Sequence, residues 1–129
     1  MRHILLHICR ALTVALTLSS SPALLAGELP QAASVEIQQL LSTLVKSGCQ
    51  FERNGRLYDG ANARQHLERK LAYLQDHQRI QSAEDFIRDG ASTSSSSGKP
   101  YQVICQGEPA MSSQAWLLAA LAKQRASQQ

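Results

Sequence analysis

The sequence predicts a small α+β domain with about four helices and a small, mainly antiparallel sheet, closed by one disulfide. Three observations support this fold class. Apolar residues recur at helical spacing in several separate segments. An Asn54-Gly55 dipeptide between two short extended runs is typical of a β-hairpin turn. Two cysteines, Cys49 and Cys105, remain once an apparent leader is set aside.

The first 26 residues have the composition of a secretory signal peptide. A start with two arginines precedes the apolar run 11–18, and small residues then lead to Ala23 and Ala26. The apolar run is shorter than the ~20 residues of a membrane span. We expect cleavage after Ala26, with Ala23 as the alternative, so residues 27–129 would form a single exported, periplasmic domain without a membrane span.

The residues that follow the leader limit the classes of partner. Glu28, not cysteine, follows Gly27, so we expect no attached lipid. Without Arg2 and Arg10 the chain has 11 basic and 10 acidic residues, a net charge of about +1. Such a balance gives no electrostatic case for nucleic acid as a partner.

The cysteines predict a structural disulfide. Cys9 lies in the leader, which leaves Cys49 and Cys105 as a pair in an oxidising compartment. A redox-active pair usually has Cys-x-x-Cys spacing, which is absent. Closing a loop of roughly 57 residues would stabilise the fold by about 4 kcal/mol on the chain-entropy model.

Capping residues and apolar stripes locate the helices. Ser34 and Asp59 are suited to begin the first two, and Gly48 and Gly90 to end the first and third. We predict helices at 35–47, at 60–76, at 83–90 after Ser82, and from Ser112 or Ser113 onward.

The extended segments predict a hairpin at 50–58 and a strand at 101–105. With Asn54-Gly55 as the turn, two pairs lie opposite each other: Phe51 with Tyr58, and Arg53 with Arg56. Because side chains alternate along a strand, the core face of the later strand would carry Tyr101, Val103 and Cys105.

Four blocks of the sequence resemble a known family when taken together and in order. They are Ser-Gly-Cys-Gln-Phe-x-Arg-Asn-Gly at 47–55, Ala-x-x-His-Leu-x-x-Lys at 63–70, Ala-Glu-x-Phe-Ile at 83–87, and Ala-Ser-x-Ser-x-x-x-Gly-Lys-Pro-Tyr at 91–101. Over roughly residues 34–121 the chain resembles the YfeK-like family of small exported bacterial proteins, a domain of unknown function. The resemblance implies a periplasmic protein of a Gram-negative bacterium, and it implies no activity and no catalytic residues.

The second helix carries a polar strip beside its apolar stripe. At 100° per residue, His66, Lys70, Tyr73 and His77 fall close together on the helix surface. Such a strip could bind an acidic ligand, or it could be an ordinary helix flank with a half-buried histidine. We expect no metal site, because His66 and His77 are ~16 Å apart along the helix and no third ligand is placed near them.

Two other segments supply candidate cations. Arg53 and Arg56 flank the hairpin turn and could hold a carboxylate or phosphate, or could be solvated. Lys99 lies in the serine-rich segment 91–100, which could form a cradle for a polar ligand or be a simple connector.

These features lead to two functional hypotheses, neither with a cofactor. The first is a non-enzymatic module that binds another periplasmic protein or an envelope component, since no convergent catalytic set appears in the sequence. The alternative is a protein that binds a small molecule or anion, or a weak hydrolase, with the basic residues Arg53, Arg56, His66, Lys70 and Lys99.

Overall fold

The computed structural model describes residues 28–129, and the leader predicted at 1–26 lies outside this part of the chain. Four helices and a four-stranded antiparallel sheet confirm the α+β class. In chain order the elements are α1 (Gln31–Lys46), β1 (Gln50–Arg53), β2 (Arg56–Tyr58), α2 (Gly60–Asp76), α3 (Ala83–Gly90), β3 (Gln102–Ile104), β4 (Met111–Ser112) and α4 (Ser113–Ala126).

The hairpin forms in the predicted register. Phe51 pairs with Tyr58 and Arg53 with Arg56 across the antiparallel strands β1 and β2. Asn54 and Gly55 both have positive φ, 52° and 79°, as a two-residue turn with matching strand twist requires. The strand order in the sheet is β2-β1-β3-β4, so the hairpin is joined to the later strand through β1.

The third strand is shorter than predicted, and a fourth follows it. Tyr101 lies outside β3 because its amide donates to the carbonyl of Ser92, at 2.9 Å, rather than to a strand. β4 pairs Met111 with Val103 and Ser112 with Gln102. A strand of two residues carries too little alternation to be predicted from sequence.

The first helix begins four residues earlier than predicted. Pro30, not Ser34, is the N-cap, and the amide of Ser34 donates to the carbonyl of Pro30 at 3.0 Å. Gln31, Ala32 and Ala33 favour helix, so the helix extends back to the proline. Ser112 is the N-cap of α4, one of the two predicted alternatives.

One hydrophobic core joins the helices to one face of the sheet. Ile37, Leu40, Leu41 and Leu44 of α1 are at most 1% exposed, and α1 contacts α2, α3 and α4. The remaining fully buried large side chains come from other elements: Ile80, Phe86, Ile87, Val103 and Leu117. The predicted disulfide between Cys49 and Cys105 is confirmed, with 4.4 Å between the two Cα atoms.

No helix among residues 28–129 has both the length and the apolar character of a membrane-crossing segment.

Candidate functional site

Five side chains from α2, the hairpin and the residue before β3 meet where the hairpin packs against α2. We call them the Arg53 cluster: Arg53, Tyr58, His66, Lys70 and Tyr101. The turn at 54–55 fixes the hairpin register, so the side chains of Arg53 and Tyr58 share a face of the sheet. One turn of helix separates His66 from Lys70, which directs both toward Tyr101.

His66 is the centre of the cluster. A guanidinium nitrogen of Arg53 lies 3.0 Å from its Nδ1 and 3.3 Å from its Nε2, and Nε2 lies 3.0 Å from the hydroxyl of Tyr101. Because guanidinium only donates, the ring nitrogen that accepts from it carries no proton. With the nearer Nδ1 as acceptor, Nε2 carries the hydrogen and donates to Tyr101.

The environment holds His66 in its neutral form. Burial, and then the positive charges of Arg53, Lys70 and Arg69, together lower its pKa to about 4. The pKa of Lys70 is also lowered, first by burial and then by Arg53. The site therefore concentrates positive charge around a ring that does not protonate at neutral pH.

Tyrosine hydroxyls accept hydrogen bonds from both cations. Arg53 donates to the hydroxyl of Tyr58 at 3.2 Å, which lowers the pKa of that phenol. Lys70 donates to the hydroxyl of Tyr101 at 3.2 Å and to the carbonyl of Thr93 at 2.8 Å. Burial raises the pKa of Tyr101, so its hydroxyl keeps its proton.

The cluster has more hydrogen-bond donors than acceptors. Its acceptors are neutral oxygens and one ring nitrogen, and these already receive bonds from Arg53, His66 and Lys70. With Nε2 of His66 protonated, the hydroxyl hydrogens of Tyr58 and Tyr101 donate to no acceptor within residues 28–129. A negatively charged oxygen would satisfy these donors and offset the positive charge together.

The serine-rich segment 91–100 lies beside the cluster and is hydrogen-bonded to the hairpin turn. Ser94 is 4% exposed, and its hydroxyl accepts from the side-chain amide of Asn54 at 3.1 Å. The hydroxyl of Ser97 donates to the other end of the same amide. Thr93 and Pro100 form a β-bridge. These bonds attach the segment to the hairpin turn and present the Thr93 carbonyl to Lys70.

A cleft opens between the hairpin and α2, with a volume of about 120 Å³. We call it the hairpin cleft. Arg53, Tyr58, His66, Arg69 and Tyr101 line it together with apolar residues such as Leu44 and Phe51. Since a water molecule occupies ~30 Å³, this volume suits a small group of a few heavy atoms. It is well below the ~300–1,000 Å³ of pockets for drug-sized ligands.

A second cleft, of about 460 Å³, lies farther along α2. We call it the α2 cleft. Eight residues line it: His66, Arg69, Lys70, Tyr73, Leu74, Arg79, Asp89 and Ser95. Tyr73 is 53% exposed and stacks on His77, with 4.1 Å between ring centroids.

The structure brings together only some of the residues singled out from the sequence. Arg53, His66 and Lys70 meet in the Arg53 cluster, and Tyr73 lines the neighbouring α2 cleft. Arg56 and Lys99 are exposed and line neither cleft.

Four residues of the two clefts were not singled out by the sequence as candidate ligands. Tyr58 and Tyr101 were assigned to the core from strand alternation alone. Arg69 lies within α2 and Arg79 follows its end, but arginines are mostly exposed in proteins, so neither position indicates a ligand by itself. A search for cations spaced around the His66–Lys70 pair would have identified Arg69.

The described residues do not group into a metal site. Across residues 28–129 no cluster contains three or more His, Cys, Asp or Glu side chains that could share a metal ion. Cys49 and Cys105 are joined to each other, which removes both thiolates as ligands.

Comparison with known proteins places most of the chain in a family. A sequence model of a family of unknown function, DUF5329, matches residues 31–125. No curated protein matches the chain, and no solved structure matches it.

Proposed function

The chain belongs to the DUF5329 family, a family of unknown function, and we propose from its geometry that it is a non-enzymatic binding module that recognises an oxyanion group. The ligand group would lie in the hairpin cleft, against Arg53 and the hydroxyls of Tyr58 and Tyr101, with Lys70 beside it through its hydrogen bond to Tyr101. The observation that carries the proposal is the excess of donors and positive charge in the Arg53 cluster, with no acid paired to either cation within residues 28–129.

The absence of a paired acid has an electrostatic cost in the unliganded protein. Arg53 lowers the pKa of Lys70 and of His66, which means that the three groups disfavour one another's charged forms. A bound anion reverses this interaction, because each cation then has an opposite charge within reach. Ligand binding would therefore stabilise a region that is electrostatically strained without ligand.

A binding role fits this arrangement better than a hydrolytic one. Within residues 28–129 the hydrogen-bond partners of His66 are Arg53 and Tyr101, and neither group is a carboxylate that would orient it as a catalytic base. No serine or cysteine side chain of the described part of the chain forms a hydrogen bond with it. This supports the non-enzymatic hypothesis over the weak hydrolase.

Titration with sulfate and orthophosphate tests the proposal. A single oxyanion with two or three charge-assisted bonds should bind with a Kd on the order of 1 mM. We expect Arg53→Gln and Lys70→Gln each to weaken binding about tenfold, as followed by calorimetry and thermal shift. Lys123→Gln removes one exposed positive charge from α4 and is the matched control. Equal affinities for all four proteins would contradict the proposal.

We further propose that the domain works in the periplasm of a Gram-negative bacterium, where its ligand group is presented by another protein or an envelope component. The composition of residues 1–26, the disulfide and the resemblance to the YfeK-like family support this. Intact-mass measurement of protein from the native host should give a chain beginning at Gly27 or Leu24, with no free thiol. Whole-cell crosslinking with wild type and Arg53→Gln would identify a partner that depends on the cluster. A full-length chain with reduced cysteines would contradict the location.

A further inference from the structure

The hairpin cleft and the α2 cleft adjoin each other along one side of α2. His66 and Arg69 line both. Lys70 lines the α2 cleft and also donates to Tyr101, which lines the hairpin cleft. The two clefts therefore share the His66–Arg69 turn of α2 as a common wall, and we call the two together the groove.

We infer that this groove is an extended site for a chain-like ligand that carries several oxyanion groups. One group would lie in the hairpin cleft, and the following groups in the α2 cleft. The inference rests on the proposed function, which places a single oxyanion against Arg53, and it deepens that function by naming the class of ligand.

The charges along the groove favour a ligand with more than one negative group. Four cations line the two clefts: Arg53, Arg69, Lys70 and Arg79. None of them forms an ion pair with another residue of 28–129. A single small anion at Arg53 would leave the cations farther along the groove without an opposite charge.

The groove contains two carboxylates, which do not cancel this charge. Asp89 lines the α2 cleft, but both of its oxygens accept from Arg88, at 2.8 Å each. Glu52 lines the hairpin cleft. Because Asp89 is paired with Arg88, only Glu52 remains to offset the four cations. The groove is therefore positive, although the domain as a whole is nearly neutral.

The dimensions of the groove agree with a chain rather than a compact anion. The hairpin cleft, at about 120 Å³, accommodates one small group, whereas the α2 cleft, at about 460 Å³, leaves room for the chain to continue. From His66 to Tyr73 the axis of α2 rises roughly 10 Å. This length separates the binding positions enough for consecutive groups of an extended ligand.

Binding of orthophosphate and of inorganic polyphosphate to the purified full-length chain, compared at several salt concentrations, tests the inference. We expect polyphosphate to bind about 100-fold more tightly than orthophosphate, because the second and later groups bind at high effective concentration. If each of four cation–phosphate contacts contributes ~0.7 to the slope, a plot of log K against log salt concentration should have a slope of about −3. Polygalacturonate, a carboxylate chain, is the second probe. Equal binding of both polymers would support the inference and show that the groove accepts carboxylate and phosphate groups alike. Binding of polyphosphate alone would also support the inference and show that the groove is specific for phosphate.

Arg79→Gln separates the inference from the proposed function, since Arg79 lines the α2 cleft and not the hairpin cleft. This variant should weaken polyphosphate binding about threefold to tenfold and reduce the salt slope by about 0.7, while orthophosphate binding stays unchanged. Lys46→Gln removes an exposed charge from α1 and is the matched control.

Two results would overturn the inference and leave the single-anion function standing: polyphosphate that binds no more tightly than orthophosphate, or an Arg79→Gln variant that behaves like Lys46→Gln. Loss of orthophosphate binding itself, or its independence of Arg53, would instead refute the proposed function.

Discussion

His66 illustrates how neighbours determine the behaviour of a single residue. Its pKa of about 4, caused first by burial and then by Arg53, Lys70 and Arg69, lies below the ordinary value of 6.5. Between these values the unfolded chain binds a proton that the folded chain does not, so acid favours unfolding. The contribution of His66 to stability is complete above about pH 6.5 and is lost progressively as the pH falls toward 4.

Urea denaturation at pH 7 and pH 5 should detect this effect. We expect wild type to lose on the order of 1–2 kcal/mol of unfolding free energy from His66, a figure reduced for partial solvent access. His66→Gln should lose less unfolding free energy over the same interval. The pKa values of Glu84 and Asp85 are lowered by their hydrogen-bond partners, so their contributions persist to lower pH. An unchanged pH dependence in His66→Gln would contradict the prediction.

Anion binding should change the same titration in the opposite direction. A sulfate in the hairpin cleft adds negative charge beside His66, so it favours the protonated ring and raises its pKa. By linkage the affinity for sulfate must rise as the pH falls, by about threefold between pH 7 and pH 4.5 if the pKa rises by one. NMR titration of the ring with and without sulfate measures this, and Arg53→Gln should show a smaller change. A pKa of His66 that sulfate leaves unchanged would contradict binding at this position.

The sequence predicts part of the site at this scale. Helical spacing identified His66 and Lys70, and the hairpin turn identified Arg53. The roles of the Tyr58 and Tyr101 hydroxyls depend on how α2 packs against the sheet, which spacing within one element cannot give. Strand alternation predicts that an aromatic ring points inward, but not what its hydroxyl contacts.

At the scale of the elements, the backbones of α1 and α2 lie close together at Gly60, the first residue of α2. A Cβ built there would lie 2.9 Å from the carbonyl oxygen of Leu44 and from the Cα of Val45. Both atoms belong to the backbone and cannot rotate away. Glycine at this position therefore allows the close packing that directs α2 past the hairpin.

Gly60→Ala should lower the unfolding free energy by about 1–3 kcal/mol, the usual cost of overpacking. Gly107→Ala is the comparison, because Gly107 has a φ of +77° but open space around its Cβ position. This variant should lose ~1–2 kcal/mol of unfolding free energy from backbone strain alone, without overpacking. The two variants are compared by chemical denaturation and by sulfate binding. We expect weaker sulfate binding only for Gly60→Ala, since α2 carries His66 and Lys70. Full sulfate affinity in that variant would contradict this account of the packing.

The elements themselves were predictable where a local signal exists. The hairpin register follows from Asn54-Gly55, and α2 and α3 begin where Asp59 and Ser82 cap them. The start of α1 was missed because a helix can extend back to a proline without a side-chain cap. β4 was missed because its pairing with β3 is a tertiary contact of two residues.

At the scale of the molecule, the disulfide closes a loop that contains the hairpin, α2 and α3. Cys49 and Cys105 are 56 positions apart, and both adjoin the same end of the β1–β3 pair. The bond restricts the unfolded chain and joins the two strands at the end opposite Arg53 and Tyr101, which belong to the cluster.

A Cys49→Ser, Cys105→Ser double variant should therefore be less stable by about 4 kcal/mol on the chain-entropy model. Chemical denaturation of this variant, and of wild type in the presence of a reducing agent, should show similar losses of unfolding free energy. A loss below ~1 kcal/mol in both would mean that the core alone specifies the fold.

The strand order also has a consequence for association between molecules. The two open edges of the sheet belong to β2 and β4, which are three and two residues long. Edges this short expose few unpaired amides and carbonyls, and Arg56 places a charge on one of them. Two copies of the domain would gain little by pairing strand to strand, so the sheet is protected against edge-to-edge aggregation.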